Sequence, residues 1–331
     1  MPPTESALVV GAGPIGLACA IAARRRGIDP LVIDAGAIGE SIVRYPVGMV
    51  FFTTPDRLEI GGHPFVCAGP KATREEALMY YRGVARAEGL RVRPYTRLVR
   101  AERTAERTGD QIACHLERTL GDRRPETVTC GRLVLAIGYF EHPTLLGVPG
   151  EDLPHVSHYS EEAHRLCGLD VVIVGAKNSA VELALNAFRA GARVTVVHRG
   201  PSLKPTVKYW LRPDFENRVA AGEIAIRWNS VVEEITAGDV AVRGSGGVER
   251  LPADRVFLLT GFRPDFALLR ALRVTLDPDS QRPAHDPATL ETNVPGVYLA
   301  GSLTAGRFIS EVFIENGRFD GEKIFGGGGS R

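Results

Sequence analysis

Two stretches of this chain share one pattern, and that pattern decides most of what the chain can fold into. Residues 7–36 read ALVVGAGPIGLACAIAARRRGIDPLVIDAG, and residues 170–200 read DVVIVGAKNSAVELALNAFRAGARVTVVHRG. Each is a short apolar run, a glycine turn, a helix-length segment and a second apolar run. Strand, tight turn, helix and strand in that order make a βαβ unit, which builds parallel sheets with helices on their faces. The expected fold class is therefore α/β, with two dinucleotide-binding domains.

In the first copy, G-x-G-x-x-G falls at Gly11, Gly13 and Gly16, with Pro14 and Ile15 completing the turn. Gly11 makes the tight turn, Gly13 lets backbone approach a pyrophosphate, and Gly16 lets helix and strand pack closely. The helix N-terminus faces the phosphates. Asp34, 18 residues after Gly16 and followed by Ala35, is placed to accept hydrogen bonds from ribose hydroxyls. The second copy departs from this. Its turn reads G-x-K-x-x-A, with Gly175, Lys177 and Ala180, and Asn178 and Ser179 open the helix. Its second strand ends in His198-Arg199 rather than an acid, with Lys204 and Lys208 just downstream. Cations there suit a 2′-phosphate, which favours NADPH over NADH. Lys177 either reaches a nucleotide phosphate or only shapes the turn.

Two further segments say which dinucleotides are meant. RLVLAIGYF (132–140), with Ala136 and Gly138, reads as a buried strand before a proline-rich stretch. TNVPGVYLAGS (292–302) is another such strand, ending at Gly301 and Ser302, and FISEVFIENGRF after it reads as a helix. This order resembles the pyridine-nucleotide flavoproteins, the thioredoxin reductase-like and monooxygenase-like enzymes, with Rossmann-like domains. The resemblance implies an FAD domain split into residues 1–140 and 263–325. An NADPH domain, residues 150–260, is inserted, with GFRPDF (261–266) as return hinge from Gly261 and 326–331 as a flexible tail. It also implies that the helix starting near Phe308–Phe313 turns its N-terminus to the flavin N1–C2=O edge. The loop 41–65 would wall the ring pocket, with Ser41, Tyr45, Phe51, Phe52, Thr53 and His63 as candidates. Val99 joins the FAD side.

Composition narrows the classes further. At 331 residues the chain is long enough for two domains, and a net charge of +1 argues against a nucleic-acid partner. No run of about 18 apolar residues exists to span a membrane, and no secretory signal is visible. The five cysteines (19, 67, 114, 130, 167) are odd in number and lack CxxC, which fits reduced thiols in the cytoplasm. The eight histidines show no metal-ligand spacing, so no metal is expected.

Three stretches carry a closer resemblance: SIVRYPVGMVFFTTPDRLEIGGHPF (41–65), PHVSHYSEEAH (154–164), and VVIVGAKNSAVELAL together with VFIENGRF. With KYWLRPDFENRV (208–219), they are similar to the bacillithiol disulfide reductase family. The resemblance implies a CxxC-lacking flavoprotein, FAD and NADPH as cofactors, a small-molecule disulfide substrate, and a homo-oligomer, dimer or tetramer. One departure stands out. The family commonly has G-G-G-P-C-G in the first turn, whereas here the turn is G-A-G-P-I-G. Ile15 cannot form a mixed disulfide, and Cys19, one helical turn on, lies on the same face. Cys19 is the thiol to test in its place, against the plainer reading of a small core residue. Rival readings are an NADPH flavoprotein that reduces ferredoxin, a quinone or oxygen, and a poorly active nucleotide-sensing protein.

Overall fold

The computed structural model describes residues 2–104, 111–309 and 311–326. They form two compact units. The first takes the chain up to Val43, Gly48–His142 and Phe262 onward; the second takes Pro143–Gly261 and the short segment Arg44–Val47.

The first unit is built on a five-stranded parallel sheet in the order Val297–Leu299, Leu133–Leu135, Leu8–Val10, Leu31–Ile33, Arg91–Arg93. Apart from the edge strand Arg91–Arg93, its strands are apolar because both faces are covered. Leu8, Val10, Leu31, Ile33, Leu133 and Leu135 pack on the antiparallel sheet of Thr96–Thr104, Gln111–Arg118 and Pro125–Cys130. Val9, Val32 and Val134, one residue out of phase, face the other way and are also fully buried. The helix Pro14–Arg25 lies along the two strands it connects.

The second unit repeats this layering. Its parallel sheet runs Ala225–Arg227, Arg193–Val197, Asp170–Val174, Arg255–Leu258, Val156–Ser157. One face packs on the helix Asn178–Arg189 through Val171, Ile173, Val194 and Val196. The other packs through Val172, Val174, Val256 and Leu258 on the antiparallel strands Val231–Ile235, Asp239–Gly244 and Gly247–Pro252. In each unit the first strand of the βαβ pattern is central. Its own second strand pairs on one side and a later strand on the other. The chain therefore switches direction at that strand's C-terminal end, where α/β sheets open a crevice for a ligand.

Two details differ from the sequence expectation. The helix expected over FISEVFIENGRF is shorter: it begins at Ile314 and breaks at Arg318–Phe319 before Asp320–Gly326, and Gly301–Ala305 ahead of it is a 3-10 turn. Ser310 lies outside the described residues, as do 327–331 of the expected tail, while Gly326 is the last residue of a helix.

Candidate functional site

Both glycine turns sit on the same hydrogen-bond frame. The Gly11 N–H donates to the Ile33 carbonyl (2.7 Å) and the Gly175 N–H to the Val197 carbonyl (3.0 Å), tying each turn to its second strand. From the later strand, Ala136 N–H reaches Val10 O (2.8 Å), and Leu259 N–H reaches Val174 O (2.9 Å). A Cβ on Gly11 would stand 2.3 Å from the Ala136 carbonyl oxygen, and one on Gly175 2.6 Å from that of Leu259. Both residues also hold positive φ, +110° and +135°, which a side chain rarely tolerates.

The remaining turn positions separate by purpose. A Cβ on Gly16 would lie 1.9 Å from Gly11 O, so Gly16 is a packing glycine. A Cβ on Gly13 would meet nothing within 4 Å, and its φ of −74° suits any residue. The open side of Gly13 leaves room for a ligand to approach the backbone, which is the fit a dinucleotide pyrophosphate requires. In the second turn the matching residue is Lys177, also extended (φ −103°), with its side chain exposed.

The ends of the second strands carry opposite chemistry. Asp34 accepts the Ala12 N–H at Oδ2 (2.7 Å) and the Gly36 N–H at Oδ1 (2.8 Å), so both oxygens already brace the turn. Burial pushes its carboxyl up to about 6, against the pull of those two bonds, with Glu141 and Glu40 adding to the rise. A partly buried carboxyl in that state has acceptor capacity left for hydroxyl donors. In the second unit His198 is buried, its ring edge-on to Trp228 at 5.9 Å. Burial and the cations Lys204 and Arg199 hold its pKa below the usual imidazole range.

Ile15 lies at a junction that the sequence gives no hint of. Its Cδ1 would be 2.8 Å from a Cβ on Gly301 and 2.6 Å from one on Gly317, so two glycines make room for this one side chain. The Gly301 N–H donates to Asp320 Oδ2 (2.8 Å), a buried carboxyl whose pKa burial raises. Cys19 is wholly buried behind them, with Gly321 packed against its backbone. Burial, and then the Asp320 charge, push its thiol pKa far above the usual range, so it is not a thiolate poised to react. The helix expected to start near Phe308–Phe313 starts at Ile314 with Phe313 as its N-cap, where Asn316 Oδ1 accepts the Phe313 N–H (2.8 Å). Phe313 itself is exposed. Arg318 anchors this segment: its Nη1 donates to the carbonyls of Asp56 and Glu59, both at 2.8 Å.

The chain belongs to the pyridine nucleotide-disulphide oxidoreductase family. That family's model matches residues 8–301, which span both turns and every parallel strand of the two sheets. The chain is 40% identical to the bacilliredoxin reductase Bdr of Bacillus subtilis (strain 168) over 321 residues, 97% of this chain and 96% of the relative. Among solved structures it is similar to the bacillithiol disulfide reductases Bdr (YpdA) from Bacillus cereus and Staphylococcus aureus. The first superposes with a TM-score of 0.93 at 36% identity and the second with 0.89 at 34%, each covering 98% of both chains. The thioredoxin reductase of T. acidophilum, 20% identical with a TM-score of 0.72 over 97% and 96% of the two chains, shares the fold. This chain is accordingly an oxidoreductase enzyme.

The other candidates of this oxidoreductase scatter more than the turns do. Ser41 lies in the short helix Glu40–Val43, Thr53 and Phe51 in the first unit, and Tyr45 in the segment that belongs to the second. Ala35 O accepts the Thr119 hydroxyl (2.6 Å), and His63 Nε2 pairs with Glu88 Oε1 (2.7 Å). Val99 is exposed at a register irregularity of the antiparallel sheet rather than on the parallel one. Gly138, at φ +64°, faces open space, and Ser302 is buried in the 3-10 turn. Gly261 closes the second unit, its carbonyl accepting the Thr144 N–H (2.8 Å). Sequence reasoning gave no role to Asp320, Gly317 or Arg318, which brace Gly301, pack on Ile15 and hold the 56–59 turn.

Proposed function

We propose that the first unit holds FAD, with Gly11, Gly13, Gly16 and Asp34 at its pyrophosphate and ribose. The second holds NADPH, with Gly175 and Lys177 at the pyrophosphate and Arg199 and Lys204 at the 2′-phosphate. The carrying observation is the duplicated turn frame with opposite charge beside the strand ends, a carboxylate at Asp34 and the cations Arg199 and Lys204 flanking His198. The enzyme uses both cofactors as a flavin disulfide reductase. When bound, FAD supplies two-electron chemistry between NADPH and the acceptor.

The net reaction is NADPH + H⁺ + RSSR → NADP⁺ + 2 RSH, with RSSR a low-molecular-weight disulfide of the bacillithiol type named in the two reductase structures. Ile15 offers no thiol, and the Cys19 thiol is buried and held protonated, so neither forms a mixed disulfide with the substrate. On this reading Ile15 and Cys19 pack and position the first turn, and neither exchanges covalent bonds with the substrate. The protein works as a homo-oligomer, dimer or tetramer, in the cytoplasm. Among the described residues no helix is long and apolar enough to cross a membrane.

The test is anaerobic. NADPH is added to the purified yellow protein, and the bleached protein is then offered bacillithiol disulfide, a bacilliredoxin disulfide, ferredoxin or a quinone. Rapid return of colour with the small disulfide supports the reading. Return only with ferredoxin or a quinone refutes the disulfide substrate, and absence of bleaching refutes the electron-transfer role altogether.

A further inference from the structure

We propose that Asn178 is a positioning residue for selection of the 2′-phosphorylated dinucleotide. Its amide latches the loop 203–211 onto the second glycine turn and so fixes Lys204 beside the end of the strand Arg193–Val197. The inference rests on the NADPH assignment above and adds to it a residue that acts through another.

The loop is held at several points. Leu203 and Val207 are buried in the core of the second unit, while Lys204 between them is exposed. Asn178 reaches across from the first residue of its helix. Its Oδ1 accepts the Lys208 N–H (2.8 Å) and its Nδ2 donates to Thr206 O (3.3 Å). Lys204 is restrained through its own backbone as well: its N–H points at Ala176 O (3.5 Å), and Arg212 Nη2 donates to its carbonyl (2.7 Å). Only a side chain with both an acceptor and a donor at one end bridges two loop residues in this way, which is why an amide fits position 178.

What the latch presents is unpaired positive charge. Most basic residues of this unit have carboxylate partners: Arg193 with Asp170, Lys208 with Glu182, Arg212 with Glu216, Arg255 with Glu161. Among the described residues, no carboxylate lies within ion-pair distance of Lys177, Arg199 or Lys204. Ala176, which the Lys204 N–H faces, follows Gly175, whose own N–H is bonded to Val197 O (3.0 Å), so loop and strand end converge; there Lys204 and Arg199 each disfavour protonation of His198. Arg199 and Lys204, exposed cations without acids beside one strand end, suit a doubly charged phosphate, while Lys177 on the turn suits the pyrophosphate.

The experiment titrates FAD-loaded protein with NADP⁺ and with NAD⁺, which differ only in the 2′-phosphate, by calorimetry. Wild type, Asn178→Ala, Lys204→Ala and the double variant are compared. Asn178→Ala is expected to weaken NADP⁺ binding about tenfold, the order of one charge-assisted contact, with NAD⁺ changed less than about twofold. The double variant should bind NADP⁺ no worse than Lys204→Ala alone, because the two residues act as one. Equal loss for both nucleotides, an intact NADP⁺ preference, or full additivity overturns the proposal. Wild type without preference for NADP⁺ overturns instead the NADPH assignment. Should Asn178→Ala not fold, Arg212→Gln, which releases the Lys204 carbonyl from an exposed site, decides: an unchanged NADP⁺/NAD⁺ ratio refutes the role of the loop's placement.

Discussion

Gly317→Ala is the sharpest perturbation of the first unit, because its effect depends on one methyl group elsewhere. Gly317 is the last residue of the helix Ile314–Gly317 and has no need of positive φ, so the added Cβ matters only through space. It would stand 2.6 Å from Ile15 Cδ1 and 3.3 Å from Ile15 Cγ1 and Val312 Cγ1. Overpacking of that kind costs about 1–3 kcal/mol, offset by up to about 1 kcal/mol from the better helix propensity of alanine. A net loss of about 1–2 kcal/mol lowers the Tm of a domain this size by roughly 2–8 °C.

Ile15→Val removes Cδ1, the atom in conflict, at about 0.5–1.5 kcal/mol by itself. Gly317→Ala added to the Ile15→Val variant should then have almost no effect, leaving a coupling of about 1–2 kcal/mol in the cycle. Ile15→Cys, which also lacks the δ carbon, should relieve the clash equally well. Gly301→Ala is the control. Its φ of +72° strains any side chain, so shortening Ile15 should rescue it only partly. Thermal unfolding of the four FAD-loaded proteins measures the cycle. Additivity of Gly317→Ala and Ile15→Val within about 0.5 kcal/mol would refute the claim that these residues form a matched pair.

Two further outcomes are expected. The Asp34 carboxyl titrates near 6 in the folded protein and near 3.8 when unfolded, so the folded state favours its neutral form. That contribution is fully present below about pH 3.8 and disappears as pH rises through 6, leaving the apoprotein about 3 kcal/mol less stable at pH 7 from this group. In urea unfolding of the apoprotein, the stability gap between wild type and Asp34→Asn should shift in favour of the variant between about pH 4 and 7; a pH-independent gap would refute it. Cys19→Ser buries a hydroxyl at a site with no exposure and should lower stability by about 1–3 kcal/mol while disulfide turnover stays intact; loss of turnover with normal bleaching by NADPH would return Cys19 to the chemistry.

The turns, their helices and the strand ends were readable from the chain because each is a local pattern. Glycine spacing, apolar runs and the terminal residue of a strand all lie within about 30 neighbouring positions. What could not be read is carried by contacts between distant residues. Asp320 caps the Gly301 N–H from 19 residues away, Asn178 holds Lys208 across 30, and Arg318 reaches Glu59 across 259. None of these leaves a periodic trace. The helix expected over 308–319 is shortened to Ile314–Gly317 for a related reason. FISEVFIENGRF has the apolar spacing of a helix, but the segment before Ile314 is pinned elsewhere, with Arg307 N–H on Ser280 O (2.9 Å) and its Nη1 on Asp279 O (2.7 Å). Tertiary bonds overrode propensity there.

The two halves of the molecule differ where a ligand would touch and agree where the chain must close on itself. Gly11 and Gly175 are both required by a carbonyl that leaves no room for a Cβ, and both keep the same bond to the second strand. Gly13 and Lys177 occupy one conformation that any residue can adopt, so the change between them is free of backbone cost and is available for selecting what approaches. Asp34 and His198 stand at the matching strand ends, each with a pKa moved toward its neutral form by burial. Yet Asp34 is braced by two N–H groups, whereas His198 is flanked by Arg199 and Lys204. A shared frame with an acid at one strand end and cations flanking the other is what a chain needs in order to hold two dinucleotides and tell them apart.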